Sequence, residues 1–180
     1  EFQGGYVPFN FNITDFLKAG ENILLIQTDN TLSESSVPTQ KTDWWPWGGI
    51  VGDIYLVKTP QYFITNAYLQ INPENFSQAQ FKLQMSSKLE GKEITLEIPE
   101  LNFKQIFQTN PLGTIQDTIQ INPQLWSTSD PKLYKVIISS KQEIISDLIG
   151  FRSIRTEGQK IYLNNLEVKF KGIAMHSEPI

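Results

Sequence analysis

The sequence predicts an all-β protein organised as a β-sandwich. Three observations carry this: apolar residues recur with a period of two, turn signals punctuate them about every ten residues, and helical periodicity is confined to one short turn. Phe81, Leu83 and Met85 alternate with Lys82, Gln84 and Ser86. Ile94, Leu96 and Ile98 alternate with Thr95 and Glu97, while Ile115, Ile119 and Ile121 sit at even separations between polar residues. Such alternation puts one face of each strand in a core and the other in water, as in antiparallel sheets. Turns come from Asn-Pro at 72–73, 110–111 and 122–123 and from Glu-Gly at 90–91. The apolar run 23–26, behind Lys18-Ala19-Gly20-Glu21-Asn22, reads as a further strand. Thr14 or Asp15 is placed to cap the single helical turn.

Composition narrows the function classes. A length of 180 residues suits one large or two small domains, and 39% hydrophobic with 19% charged residues excludes disorder. Aromatics at 12%, including four Trp, suit sandwiches and carbohydrate surfaces equally. The net charge is -4 and no cluster of Lys or Arg offers the basic face that replaces phosphate counterions, which excludes nucleic acid as a partner. Without cysteine there is neither a disulfide framework nor a thiolate metal site. No stretch has the form of a signal peptide or a membrane-spanning helix. Glu1 opens the chain in mid-motif without a Met, leaving room for an upstream signal, so localisation stays open between bacterial periplasm and cytoplasm.

Pro60 marks a boundary between Gly- and Trp-rich segments and regular short strands, and a second boundary falls near Gly150. Beyond it the runs 161–163 and 168–170 flank Asn164-Asn165, and because Asn tolerates positive φ this predicts a tight hairpin.

Four separated stretches resemble glycoside hydrolase family 2, the group of β-galactosidases, β-glucuronidases and β-mannosidases. The first is Gly4-Gly5-Tyr6-Val7-Pro8-Phe9 with Asn12-Ile13-Thr14 and Gly20-Glu21-Asn22. The second is Asp43-Trp44-Trp45-Pro46-Trp47-Gly48-Gly49-Ile50, running on to Asp53-Ile54-Tyr55-Leu56 and Pro60. The third joins Trp126-Ser127, Pro131, Leu133 and Tyr134 to Gly150-Phe151-Arg152. The fourth is Leu163-Asn164 with Lys171-Gly172-Ile173 and His176. Their order and spacing span nearly the whole chain. The resemblance implies part of a jelly-roll sugar-binding domain over 1–59, an immunoglobulin-like β-sandwich over 60–148, and the entry hairpin and first strand of a catalytic (β/α)8 barrel over 149–180. Three positions depart from the pattern: Gly52 where Arg is usual, Met175 where Arg is common before the His, and Asn165 where Gly is usual.

The resemblance also implies a retaining exo-β-glycosidase acting on a terminal β-linked sugar, galactoside first and glucuronide second. Its acid/base and nucleophile glutamates would lie downstream of Ile180, so the chain alone is expected to be inactive. Glu97, Glu100 and Glu157 read as solvated surface groups. His176, the only histidine, is implied as a substrate-hydroxyl contact at the C-terminal end of the first barrel strand; its plain alternative is a polar residue near a chain end. Asp53 is implied as a substrate contact that also meets a bound monovalent cation, the alternative being an exposed strand-edge carboxylate. No cofactor is required, and a monovalent or divalent cation is the only ion implied for the intact enzyme. The partner is carbohydrate substrate in a homo-oligomeric parent, with neither nucleic acid nor membrane. The Trp44-Trp45-Pro46-Trp47 cluster offers either a sugar-stacking face or a packing plug, and packing is the commoner use of buried aromatics. Arg152 reads as a domain-junction anchor through its planar fork. The rival from another class is a non-catalytic β-sandwich module binding glycans or proteins.

Overall fold

A computed structural model of the protein describes residues 1–4, 7–36, 48–50 and 52–174. The chain divides into two compact units, Glu1–Val57 and Lys58–Ile180.

The second unit is built on seven strands: β1 (Ile64–Ile71), β2 (Gln78–Met85), β3 (Glu93–Ile98), β4 (Phe103–Gln108), β5 (Thr114–Gln120), β6 (Tyr134–Ser139) and β7 (Ile144–Ile149). They form two antiparallel sheets, β1-β2-β5 and β4-β3-β6-β7. The period-two residues are the ones that face inward. Ala79, Phe81, Leu83 and Met85 of β2 are buried and alternate with exposed Gln80, Lys82 and Gln84. Ile94, Leu96 and Ile98 of β3 meet them from the other sheet, and Phe81 and Phe107 approach to 5.1 Å between ring centroids. Each such fully buried side chain contributes about 1.5–3 kcal/mol, so this one core holds the two sheets together.

Three side chains tie the loops to the sheets. Tyr134, buried at the start of β6, accepts the Gln124 N–H at 2.8 Å through its hydroxyl, a link back across the sheet-crossing connection of the kind called a tyrosine corner. Thr109, buried after β4, accepts the Lys92 N–H at 3.0 Å and donates its hydroxyl to the Leu89 carbonyl, closing the β2–β3 connection. Glu143, at the β6–β7 turn, accepts the Ile64 N–H at the start of β1 and so spans the two sheets.

Exposed sheet edges recruit other strands unless blunted. On β5 and β7, Asp117 and Asp147 occupy the register otherwise filled by inward apolar residues, between Ile115 and Ile119 and between Ile145 and Ile149. Both stay exposed, and each accepts the N–H of the next residue at 2.7 Å. A carboxylate at that register penalises any strand adding to the edge.

A small antiparallel sheet follows within the same unit: β8 (Ile154–Glu157), β9 (Lys160–Leu163) and β10 (Leu166–Val168), in the order β10-β9-β8. Asn164 and Asn165, at φ 50° and 67°, make the predicted two-residue turn between β9 and β10. The last strand ends at Val168 rather than at residue 170.

In the first unit the described residues hold one 3-10 turn, Thr14–Phe16, and no strand. Its cap differs from expectation: neither Thr14 nor Asp15 caps it, and the Asn12 side chain instead accepts the Thr14 N–H at 3.0 Å. Asn22 closes the 18–22 turn by bonding both the N–H and the carbonyl of Lys18. The run 23–26 is not a strand, with Ile23 89% and Leu25 90% exposed. A strand is a ladder of hydrogen bonds to a neighbour, and no described residue offers that ladder. Phe9 stacks on Phe2 at 4.7 Å between ring centroids and meets Phe11 edge-on at 5.6 Å.

Candidate functional site

Asp53 lies in the first unit as an exposed carboxylate. Its Oδ2 accepts the Tyr55 hydroxyl at 2.7 Å. The hydrogen bond to the carboxylate holds the Tyr55 phenol above its ordinary pKa, because losing the proton would set two anions together. Asp53 retains unused lone pairs, which suits the acceptance of sugar hydroxyls. At Gly52 a side chain would meet nothing within 4 Å, so the missing Arg leaves open space rather than a filled one. Among the described residues no group of three or more His, Asp or Glu side chains could hold a metal. One exposed carboxylate already engaged by Tyr55 is not by itself a cation site, so the residues described do not fit the implied ion. His176 and the Trp44-Trp45-Pro46-Trp47 cluster lie outside the described residues.

The second unit places Arg152 at the exit from the sandwich. Its Nη1 donates to the Gly150 carbonyl at 3.2 Å, and its guanidinium lies 5.2 Å from the centre of the half-buried Trp126 ring. Asn164 reaches the same place from the β9–β10 turn, donating Nδ2–H to the Trp126 carbonyl at 2.9 Å. Sequence reasoning placed Arg152 at a junction but saw Asn164 as a turn former and part of the resemblance, with no contact to Trp126. The signal available was an Asn where the resemblance leads on to Gly at 165, and it did not distinguish a turn from a tie.

Two clefts open on the sandwich. One lies between the edges of β4 and β5, beside Phe107, Gln108 and Asp117; the other lies at one end, beside Tyr62, Lys92, Glu93 and Lys141. Each is lined by a single carboxylate, Asp117 in the first and Glu93 in the second. A retaining glycosidase needs two, about 5–5.5 Å apart. Glu97 pairs with Lys104 at 3.0 Å and Glu157 with Arg155 at 2.7 Å, both at the surface. Glu100 accepts the Lys135 N–H at 3.1 Å, which with its own backbone N–H and the charges of Lys132 and Lys135 holds its carboxyl below the usual range.

Two facing antiparallel sheets of three and four strands, with a tyrosine corner, define an immunoglobulin-like β-domain. The profile of glycosyl hydrolases family 2 matches residues 63–152, half of the chain and the whole of this sandwich. The chain belongs to that family. A putative beta-glucuronidase of Formosa agariphila is 28% identical over 191 aligned positions, covering 97% of this chain and 23% of the relative. Beta-galactosidases of Staphylococcus xylosus and Clostridium acetobutylicum are 27% and 28% identical, covering 92% and 95% of this chain. The chain thus spans about a quarter or less of the curated relatives it matches, 23%, 16% and 20% of their lengths. Among solved structures, a GH2 beta-galacturonidase from Eisenbergiella tayi bound to galacturonate superimposes with a TM-score of 0.58 at 23% identity, over 77% of this chain and 26% of that one, which supports the fold.

Proposed function

We propose that this chain is the accessory-domain part of a retaining exo-β-glycosidase that removes a terminal β-linked sugar, with a β-galactoside as the first substrate class and a β-glucuronide as the second. The observation that carries the reading is the family match laid over the complete sandwich, among relatives named for both activities. In this reading residues 1–59 belong to the sugar-binding domain, 60–148 are the sandwich, and 149–180 lead into the catalytic barrel. The nucleophile and the acid/base then come from outside the described residues, and the lack of a carboxylate pair in either of these two clefts supports this. Asp53 and His176 are the residues we assign to substrate hydroxyls. For Asp53 the support is its exposure and its free acceptor capacity beside Tyr55.

The test is to read the coding sequence beyond Ile180 and to assay the full-length product on aryl β-galactosides and β-glucuronides. The expected result is a barrel contributing two glutamates, with turnover of one substrate class and its loss in Glu→Gln variants. A stop codon or further sandwiches downstream would replace this reading with the binding-module one.

A further inference from the structure

The β9–β10 turn does more than reverse the chain. Asn164 donates its backbone N–H to the Ser153 carbonyl at 2.9 Å, while its Oδ1 accepts the Ser153 N–H at 3.0 Å. Its Nδ2 donates to the Trp126 carbonyl at 2.9 Å, and the Trp126 N–H in turn donates to the Phe151 carbonyl at 2.8 Å. One side chain therefore joins three segments: the turn of the exit sheet, the chain leading into β8, and the connection from β5 to β6. The bonds are part-buried, and the ring of buried Phe151 lies 5.6 Å from that of Tyr134, so the joint leans directly on the core.

We propose that Asn164 is a positioning residue that locks the β8–β10 sheet onto the sandwich, so that the direction of the chain leaving β10 is set by the sandwich core. If the glycosidase reading holds, this lock orients the accessory sandwich against the catalytic domain; the lock itself does not depend on that reading. Asparagine suits the post on two counts. It tolerates the φ of 50° at this position, and its carboxamide offers one acceptor and two donors in a plane. Glycine would keep the first property and lose the second.

Hydrogen exchange on the full 180-residue chain separates the two. Asn164→Gly keeps the turn and the backbone bond to the Ser153 carbonyl and removes both side-chain bonds. Leaving a part-buried amide and carbonyl unpaired shifts local opening by about tenfold or more. The expected result is exchange accelerated by that factor at the amides of β9 and β10, with β3 and β6 unchanged. Asn164→Asp keeps the acceptor for Ser153 but sets a carboxylate oxygen against the Trp126 carbonyl in place of the donor, so acceleration confined to the same amides is expected. It also serves as the reading should Asn164→Gly not fold. Ser153→Ala is the control, because the buried Ser153 hydroxyl has no hydrogen-bond partner among the described residues while both its backbone groups bond Asn164; it should leave the exit sheet as protected as before. Unchanged exchange in the Asn164 variants, or acceleration by one common factor across β3, β6 and β9, would overturn the proposal.

Discussion

Replacing Gly150 by alanine tests the sandwich exit at a single methyl group. A Cβ built there falls 2.7 Å from Trp126 Cδ1 and 2.9 Å from both its Cβ and Cγ. Gly150 lies outside the left-handed region, so the penalty is steric rather than conformational. Rotation of the indole relieves the Cδ1 contact but not the one to Trp126 Cβ, which sits at the root of the side chain. The backbone there is held as well, by the Phe151 carbonyl on its N–H and Asn164 on its carbonyl. Overpacking of this kind costs about 1–3 kcal/mol, and the stiffer unfolded chain returns about 0.4–1 kcal/mol. A net loss of about 1–2 kcal/mol is expected, or a fall of roughly 2–4 °C in Tm per kcal/mol for a chain of this size. Urea titration reads it as a lower midpoint at unchanged slope. Repeating the change in a Trp126→Ala background, where the Cδ1 and Cγ contacts are gone, should shrink the loss. A midpoint that stays or rises in Gly150→Ala would mean that Trp126 is free to move and the exit is not a packed joint.

Other perturbations follow from the same geometry. Phe81→Ala empties a fully buried site beside Phe107 and should cost about 3–5 kcal/mol, whereas Ile106→Ala, 62% exposed, should shift the midpoint little; equal losses would refute the core as described. Asp53→Asn removes the carboxylate that holds the Tyr55 proton, so one tyrosine should ionise at lower pH in an ultraviolet titration; an unaltered titration curve would mean the pair does not form in solution. Asp147→Val restores apolar register to edge strand β7 and should produce concentration-dependent association in sedimentation. A monomer at all concentrations would show that the edge needs no charge to stay open.

How far the sequence foretold the structure depends on where burial decides. Phe81, Leu83 and Met85, with Ile94, Leu96 and Ile98, alternate because one face is dry, and both sets became the inward faces of β2 and β3. The Asn-Pro and Glu-Gly pairs fell in the connections, since their backbone preferences are local. Edge strand β7 was not singled out, because Ile144 and Leu148 are apolar yet exposed and blur the alternation. The run 23–26 had the composition of a strand, but composition cannot supply the neighbour that a ladder requires. Asp53 was named as a candidate from the resemblance alone, and Tyr55 as its hydrogen-bond partner was not foreseen, because a hydrogen bond between side chains leaves no mark on periodicity. The tie at Asn164 was hidden in the same way: its turn-forming role is written in the pair Asn164-Asn165, its reach to Trp126 only in three dimensions.

The central claim, that the chain carries accessory structure of a glycosidase without its reacting pair, is tested most directly by turnover. Purified to homogeneity, the 180-residue chain should leave aryl β-galactosides and aryl β-glucuronides unhydrolysed above the uncatalysed rate. Hydrolysis that follows the chain through repeated purification, and disappears when Asp117 or Glu93 of the two clefts is replaced by its amide, would contradict it.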